Sequence, residues 1–224
     1  MEVASIAQRL EQVRQRIASA CERSHRSPTQ VTLVAVTKGV APERIREAVA
    51  AGVRHLGENR IQEATSKRSA LADLWASVTW HMVGHLQTNK VKTAIGLFDI
   101  IHSVDSLHLA KVISKRAQSP VPVFLEVNVA EGPTKYGFTL VELHDQHESI
   151  ERLPNLDVRG LMTVAPQAEG AERVRPIFRT LREAAASLGL KEISMGMSDD
   201  FEVAVEEGAT HVRIGRAIFG EHPG

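Results

Sequence analysis

Val31-Thr32-Leu33-Val34-Ala35-Val36 runs straight into Thr37-Lys38, and its composition decides how the rest of the chain is read. The run is almost unbroken in apolar and β-branched residues, which suits a parallel strand covered on both faces. Upstream, Ile6, Leu10, Val13 and Ile17 recur at steps of four, three and four with charges between them. That spacing lays one apolar stripe along a helix over residues 3–23. Downstream, Pro42 stands where a helix can begin, and Glu43 to Ala51 carries it as far as Gly52.

The same alternation then repeats. Further strands are predicted near 53–56, 79–83, 98–102, 121–127, 156–161, 191–195 and 211–214. Helical stretches are predicted at about 60–72, 86–95, 105–117, 139–150, 170–188 and 199–207, with a short turn at 216–219. Strands alternating with helices imply parallel βαβ units. Eight strands predict an α/β fold, a (β/α)8 TIM-type barrel in a single domain, compact beside the roughly 250 residues usual for that fold. Residues 1–27 are expected to form an additional N-terminal helix packed on the barrel, and residues 28–224 the barrel itself. A doubly wound open sheet shares the alternation, but no Gly-x-Gly-x-x-Gly follows the first strand, which counts against a dinucleotide fold.

Charge and composition remove several classes of partner. The 224 residues hold 27 Lys plus Arg against 27 Asp plus Glu and are 43% hydrophobic. A neutral chain without a long basic run is a poor binder of nucleic acid or anionic membrane. Cys21 is the only cysteine, so neither an intrachain disulfide nor a multi-cysteine zinc site is available, and an inert free thiol is expected. No secretory segment opens the chain and no apolar run approaches bilayer length. Glu2, Glu11 and Glu22 interrupt the Arg-rich start, unlike a transit peptide. A cytoplasmic protein is the default.

In a β/α barrel the functional residues gather at the C-terminal ends of the strands. Lys38 follows an apolar strand directly. Beside low-dielectric walls a lysine amine is held neutral, the form that attacks an aldehyde to give an imine. At the last two strand ends, Met195-Gly196-Met197-Ser198 leads into Asp199-Asp200, and Gly215-Arg216 leads into a short turn. Loops after strands seven and eight of such barrels make the customary phosphate site, where free backbone N–H groups meet the anion. Ser198 is also placed to cap the following helix, and Arg213 and Arg216 add positive charge. Barrel closure brings strand eight beside strand one, so a phosphorylated aldehyde fits between lysine and cup. Pyridoxal phosphate is one such molecule, and the carbonyl substrate of a Schiff-base aldolase is another.

Five blocks narrow that choice. Val34-Ala35-Val36-Thr37-Lys38, His55-Leu56-Gly57-Glu58-Asn59-Arg60-Ile61-Gln62-Glu63, the stretch from Trp80 to Lys90, Ser194 to Asp200, and Val212 to Gly220 stand in order. Together they closely resemble the pyridoxal phosphate homeostasis proteins, single-domain relatives of the alanine racemase N-terminal barrel. The resemblance implies a fold-type III barrel carrying pyridoxal 5′-phosphate on Lys38. Ser198 and the backbone N–H groups of Gly215 and Arg216 would take the phosphate, Arg213 the pyridine nitrogen, and Asn59 and His81 the ring. Where many members have Thr, this chain has Arg216, and Gly39-Val40 replaces residues that are often polar.

The resemblance further implies a cofactor carrier in vitamin B6 homeostasis, with no catalytic residue and no metal. Racemases of this lineage take a tyrosine from a second, β-rich domain, and the only tyrosine here is Tyr136, after the fifth strand. An arginine at the pyridine nitrogen keeps that nitrogen unprotonated and the ring a weak electron sink. Handover needs a second amine, from an amino acid or from an apo-enzyme that would be the recipient, and Lys38 and Lys135 are the lysines singled out for it. A racemase completed by a dimer partner and a sugar-phosphate aldolase are the rival enzymes. A monomer or weak homodimer is expected. His81 and His85 have the spacing of a helical metal pair but straddle a strand end, without an intervening Glu. Glu206 and Glu207, before Gly208, read as solvated helix-end residues.

Overall fold

The structure, a computed structural model, describes residues 4–130 and 136–221. Eight parallel strands close into a barrel in chain order: β1 (Thr32–Val36), β2 (His55–Glu58), β3 (Thr79–Met82), β4 (Ile100–Val104), β5 (Val121–Glu126), β6 (Leu156–Met162), β7 (Glu192–Ser194) and β8 (His211–Ile214). Around them run α2 (Pro42–Ala50), α3 (Ile61–Ala70), α4 (Ala72–Trp75), α5 (Val91–Leu97), α6 (Leu107–Arg116), α7 (Leu140–Glu151), α8 (Arg175–Ser187), α9 (Phe201–Glu206) and α10 (Arg216–Phe219). The open sheet is thereby excluded. β1 pairs with β2 on one side and with β8 on the other, Val34 opposite Arg213 and Ala35 opposite Ile214.

The additional helix, α1, spans Ile6–Arg23 and begins at a capping box in which Ser5 and Gln8 satisfy each other's backbone. Its stripe of Ile6, Leu10, Val13 and Ile17, joined by Ala20 and Cys21, is buried. The helix lies on α2, α9 and α10. Polar ties fix it there: Arg16 to Glu202 at 2.7 Å, Arg23 to Glu206 at 2.6 Å, and Arg26 to the carbonyls of Val205 and Ala209 at 2.6 and 2.8 Å. Burial raises the Cys21 thiol above its ordinary range, consistent with an inert thiol.

Boundaries moved where local chemistry intervened. The helix predicted at 60–72 breaks at Leu71 into α3 and α4. β4 starts two residues after the expected position, because Asp99 turns its carboxylate to the backbone N–H of Trp80 at 2.7 Å. Glu206 and Glu207 correct the sequence reading more seriously. Glu207 is buried and bonded by Arg175, Arg179 and Arg182, all on α8, and Glu206 is shared by Arg23 and Arg175. They join helices and are not solvated ends.

The barrel interior is unusual for its class, whose layers are dominated by branched aliphatic side chains. His81, His102 and His211 are buried there with Phe124. The His55 ring meets His81 at 3.0 Å, His81 meets His102 at 2.8 Å, and His102 meets the Ser194 hydroxyl at 2.8 Å. Burial holds His81 and His102 well below the ordinary histidine range and His211 at about 4. These rings are neutral partners in a hydrogen-bonded column.

Candidate functional site

A cavity of about 790 Å³ opens at the C-terminal ends of the strands, bordered by Val36, Asn59, Val83, Ser198, Arg213, Gly215, Arg216 and the loop 164–171 after β6. Its volume is that of an ordinary small-molecule site. The loops after β7 and β8 border the cavity together, where the sequence predicts an anion cradle. Gly196 turns the chain with φ +92°, and the Arg213 backbone N–H donates to its carbonyl at 3.0 Å. Ser198 is not the cap of α9, which begins at Asp200. Its hydroxyl instead accepts the Ala217 N–H at 3.3 Å, joining the two loops. Gly215 faces β1 so closely that a Cβ there would lie 3.2 Å from the Val36 carbonyl.

Arg216 opens α10 with its guanidinium turned outward onto Asp199. Its backbone N–H, in the first turn of a short helix, lacks an intrahelical partner. Arg213 is buried, donating to the Ser194 hydroxyl at 2.6 Å and the Thr163 carbonyl at 2.7 Å. Burial lowers it to about 10, so it is still a cation at neutral pH. Asp200 accepts the Met197 N–H at 2.6 Å, and burial raises its carboxyl above the ordinary range. Asn59 presents a buried Oδ1 with no hydrogen-bond partner among the described residues, an acceptor awaiting a donor on a ligand.

Two expectations are revised. His81 does not border the cavity; it is wholly buried in the histidine column, because β3 turns its side chain to the barrel axis. Lys38 is exposed, not enclosed by apolar walls, and is not among the residues that border the cavity. The backbone around it is fixed instead. Thr37 donates its N–H to Gly57 at 2.8 Å and its hydroxyl to the Glu58 carboxylate. The Lys67 ammonium reaches the Thr37 carbonyl at 2.5 Å and both Glu58 and Glu63 at 2.6 Å. The Gly39 N–H closes the set on Glu63 at 2.6 Å. Sequence reading missed Glu58, Glu63 and Lys67. The signal was present: Ile61, Ala64 and Lys67 are one inward face of α3, and a lysine continuing an apolar face needs an internal partner.

At the rim His85 pairs with Asp105 at 3.1 Å and stacks on Tyr136 with ring centroids 3.6 Å apart. His81 and His85 therefore face different surroundings and do not converge as a metal pair. Lys135 lies outside the described residues. Glu126, at the end of β5, was also missed. Burial, reinforced by Asp105 and opposed by Arg213, pushes its carboxyl up to about 7. Glycine-turned loops after β7 and β8, a fixed cation, an unpartnered acceptor and an exposed lysine after β1 together fit a phosphorylated, heteroaromatic aldehyde.

The family described as alanine racemase, N-terminal domain, matches residues 8–223. A pyridoxal phosphate homeostasis protein of Aquifex aeolicus is 47% identical over 96% of this chain and 97% of its own. Another from Pseudomonas aeruginosa is 42% identical, covering 97% and 96%. The solved structure of PipY from Synechococcus elongatus with PLP bound superposes with a TM-score of 0.81 at 39% identity, covering 93% of this chain and all of that one.

Proposed function

Because the chain belongs to the pyridoxal phosphate homeostasis proteins within the alanine racemase N-terminal domain family, we propose that it binds pyridoxal 5′-phosphate and holds it in reserve for other proteins. The observation that supports this reading is the parallel pairing of β1 with β8, whose C-terminal ends, Val36 and Gly215, lie side by side. The group, when bound, supplies a reactive aldehyde. Ser198 and the N–H groups of Gly215 and Arg216 take the phosphate, Arg213 faces the pyridine nitrogen, and Asn59 accepts from the ring hydroxyl. The Lys38 amine would be the nucleophile that holds the aldehyde covalently.

An exposed Lys38 suits a carrier. A second amine, from an amino acid or an apo-enzyme recipient, reaches the same carbon from solvent, whereas a committed enzyme excludes water from the reacting centre. Among the described residues no helix is long and apolar enough to cross a membrane; a cytoplasmic store working as a monomer or weak homodimer is part of the same proposal.

Borohydride reduction followed by peptide mass mapping tests the reading. Purified protein is expected to show visible imine absorbance that reduction removes, with the label on Lys38 and none in Lys38→Ala. A label elsewhere overturns the site. Turnover of single L-amino acids at ordinary enzyme rates, read by chiral chromatography, overturns the carrier role.

A further inference from the structure

We infer that Lys67, with Glu58 and Glu63, is a positioning device for Lys38; this rests on the reading of Lys38 as the cofactor's covalent anchor. Lys67 is 6% exposed and Glu58 fully buried. An ammonium has three N–H donors, and Lys67 directs them to the Thr37 carbonyl, Glu58 and Glu63. Buried ion pairs contribute little net stability, because desolvation offsets the Coulombic gain. What this one does is local. Thr37 precedes Lys38 and Gly39 follows it, and both backbones are tied to the same group of three side chains.

The tie has a shape. The Val40 N–H donates to the Thr37 carbonyl at 2.9 Å, closing a tight turn with Lys38 and Gly39 at its apex. Gly39 takes φ +70°, which glycine adopts without strain. The Lys38 side chain thus starts from a fixed backbone. A mobile side chain on a fixed pivot keeps the amine near the aldehyde while leaving the imine open to exchange. Glu58 and Lys67 touch neither the cavity wall nor the rim, so they act through the backbone on either side of Lys38.

The separation of anchor from cradle gives the test. Lys67→Met removes all three bonds, and Glu63→Ala, at a half-buried position tolerant of truncation, frees the Gly39 N–H. Each folded variant is titrated with pyridoxal 5′-phosphate, following growth of imine absorbance, and with the alcohol analogue pyridoxine 5′-phosphate, which occupies ring and phosphate contacts but forms no imine. The expected result is imine formation slowed about tenfold or more, the scale of a displaced reacting group, with affinity for the alcohol unchanged. Glu63→Gln, which keeps an oxygen acceptor for Gly39, is expected to restore most of the rate. An unaltered imine rate in folded Glu63→Ala, with wild-type label on Lys38, overturns the positioning role alone. Equal loss of imine and alcohol binding makes the trio merely structural and overturns it too. Absence of wild-type label on Lys38 overturns the anchor itself.

Discussion

Gly196 adopts φ +92°, and a Cβ there would lie 2.5 Å from that of Ala204 and 2.9 Å from the Phe201 backbone. Gly196→Ala is therefore expected to lower stability by roughly 1–3 kcal/mol through backbone strain and collision. It should also weaken phosphate capture by displacing the Gly196 carbonyl that receives the Arg213 N–H. Urea unfolding and a titration with inorganic phosphate read the two effects separately. Residues of this kind were legible because a glycine between strand and helix announces backbone approach. Arg216 was legible by position but not by orientation: Asp199, seventeen residues earlier in the chain, draws its guanidinium out of the cup. His81 was misplaced because two neighbouring positions on a strand face opposite sides, and sequence proximity to the strand end does not tell which faces the mouth.

Among the elements, α8 and α9 meet through charge as well as apolar packing. Arg175, Arg179 and Arg182 recur along one side of α8, a spacing visible in the sequence, whereas their common partner Glu207 becomes visible only once α9 is folded against them. Burial raises the Glu207 carboxyl, but hydrogen bonds from Arg179 and Arg175 outweigh it and hold the group below the ordinary carboxylate value of 4.5. A carboxyl depressed in the folded state adds stability above the unfolded value and loses it as pH falls through the folded one. Glu207→Gln should cost roughly 1–2 kcal/mol at pH 7. The gap between variant and wild type in denaturant midpoint should narrow as pH falls below 4.5. Strand positions were readable within one or two residues because a doubly covered strand is a continuous apolar run. Short helical segments such as α4 were not, since their ends depend on packing that local composition does not record.

For the whole molecule, the neutral histidine column sets an acid limit. His211 is held at about 4 against an unfolded value of 6.5, and His81 and His102 are depressed in the same direction. Depressed histidines leave stability intact above pH 6.5. Below it the unfolded chain takes up protons that the barrel refuses, and the loss is complete for His211 once pH passes its folded value. His211 alone is worth roughly 3 kcal/mol. The melting temperature should fall steadily between pH 6.5 and about 4, with a shallower slope in His211→Phe, as read by circular dichroism against pH. Barrel closure was readable from the count of eight βα units; the polar filling was not, because an inward histidine and an outward one look alike in a short strand.

The lashing of α1 to α9 and α10 bears on how the protein is made. Arg16 and Glu202 are 186 positions apart, so α1 must wait for α9 before its stripe is covered. Contacts of such span slow assembly. The cradle depends on the same late arrivals, β7 and β8. A chain in which those elements have not yet docked cannot take up its ligand, and capture of a phosphate ester reports that the barrel has closed.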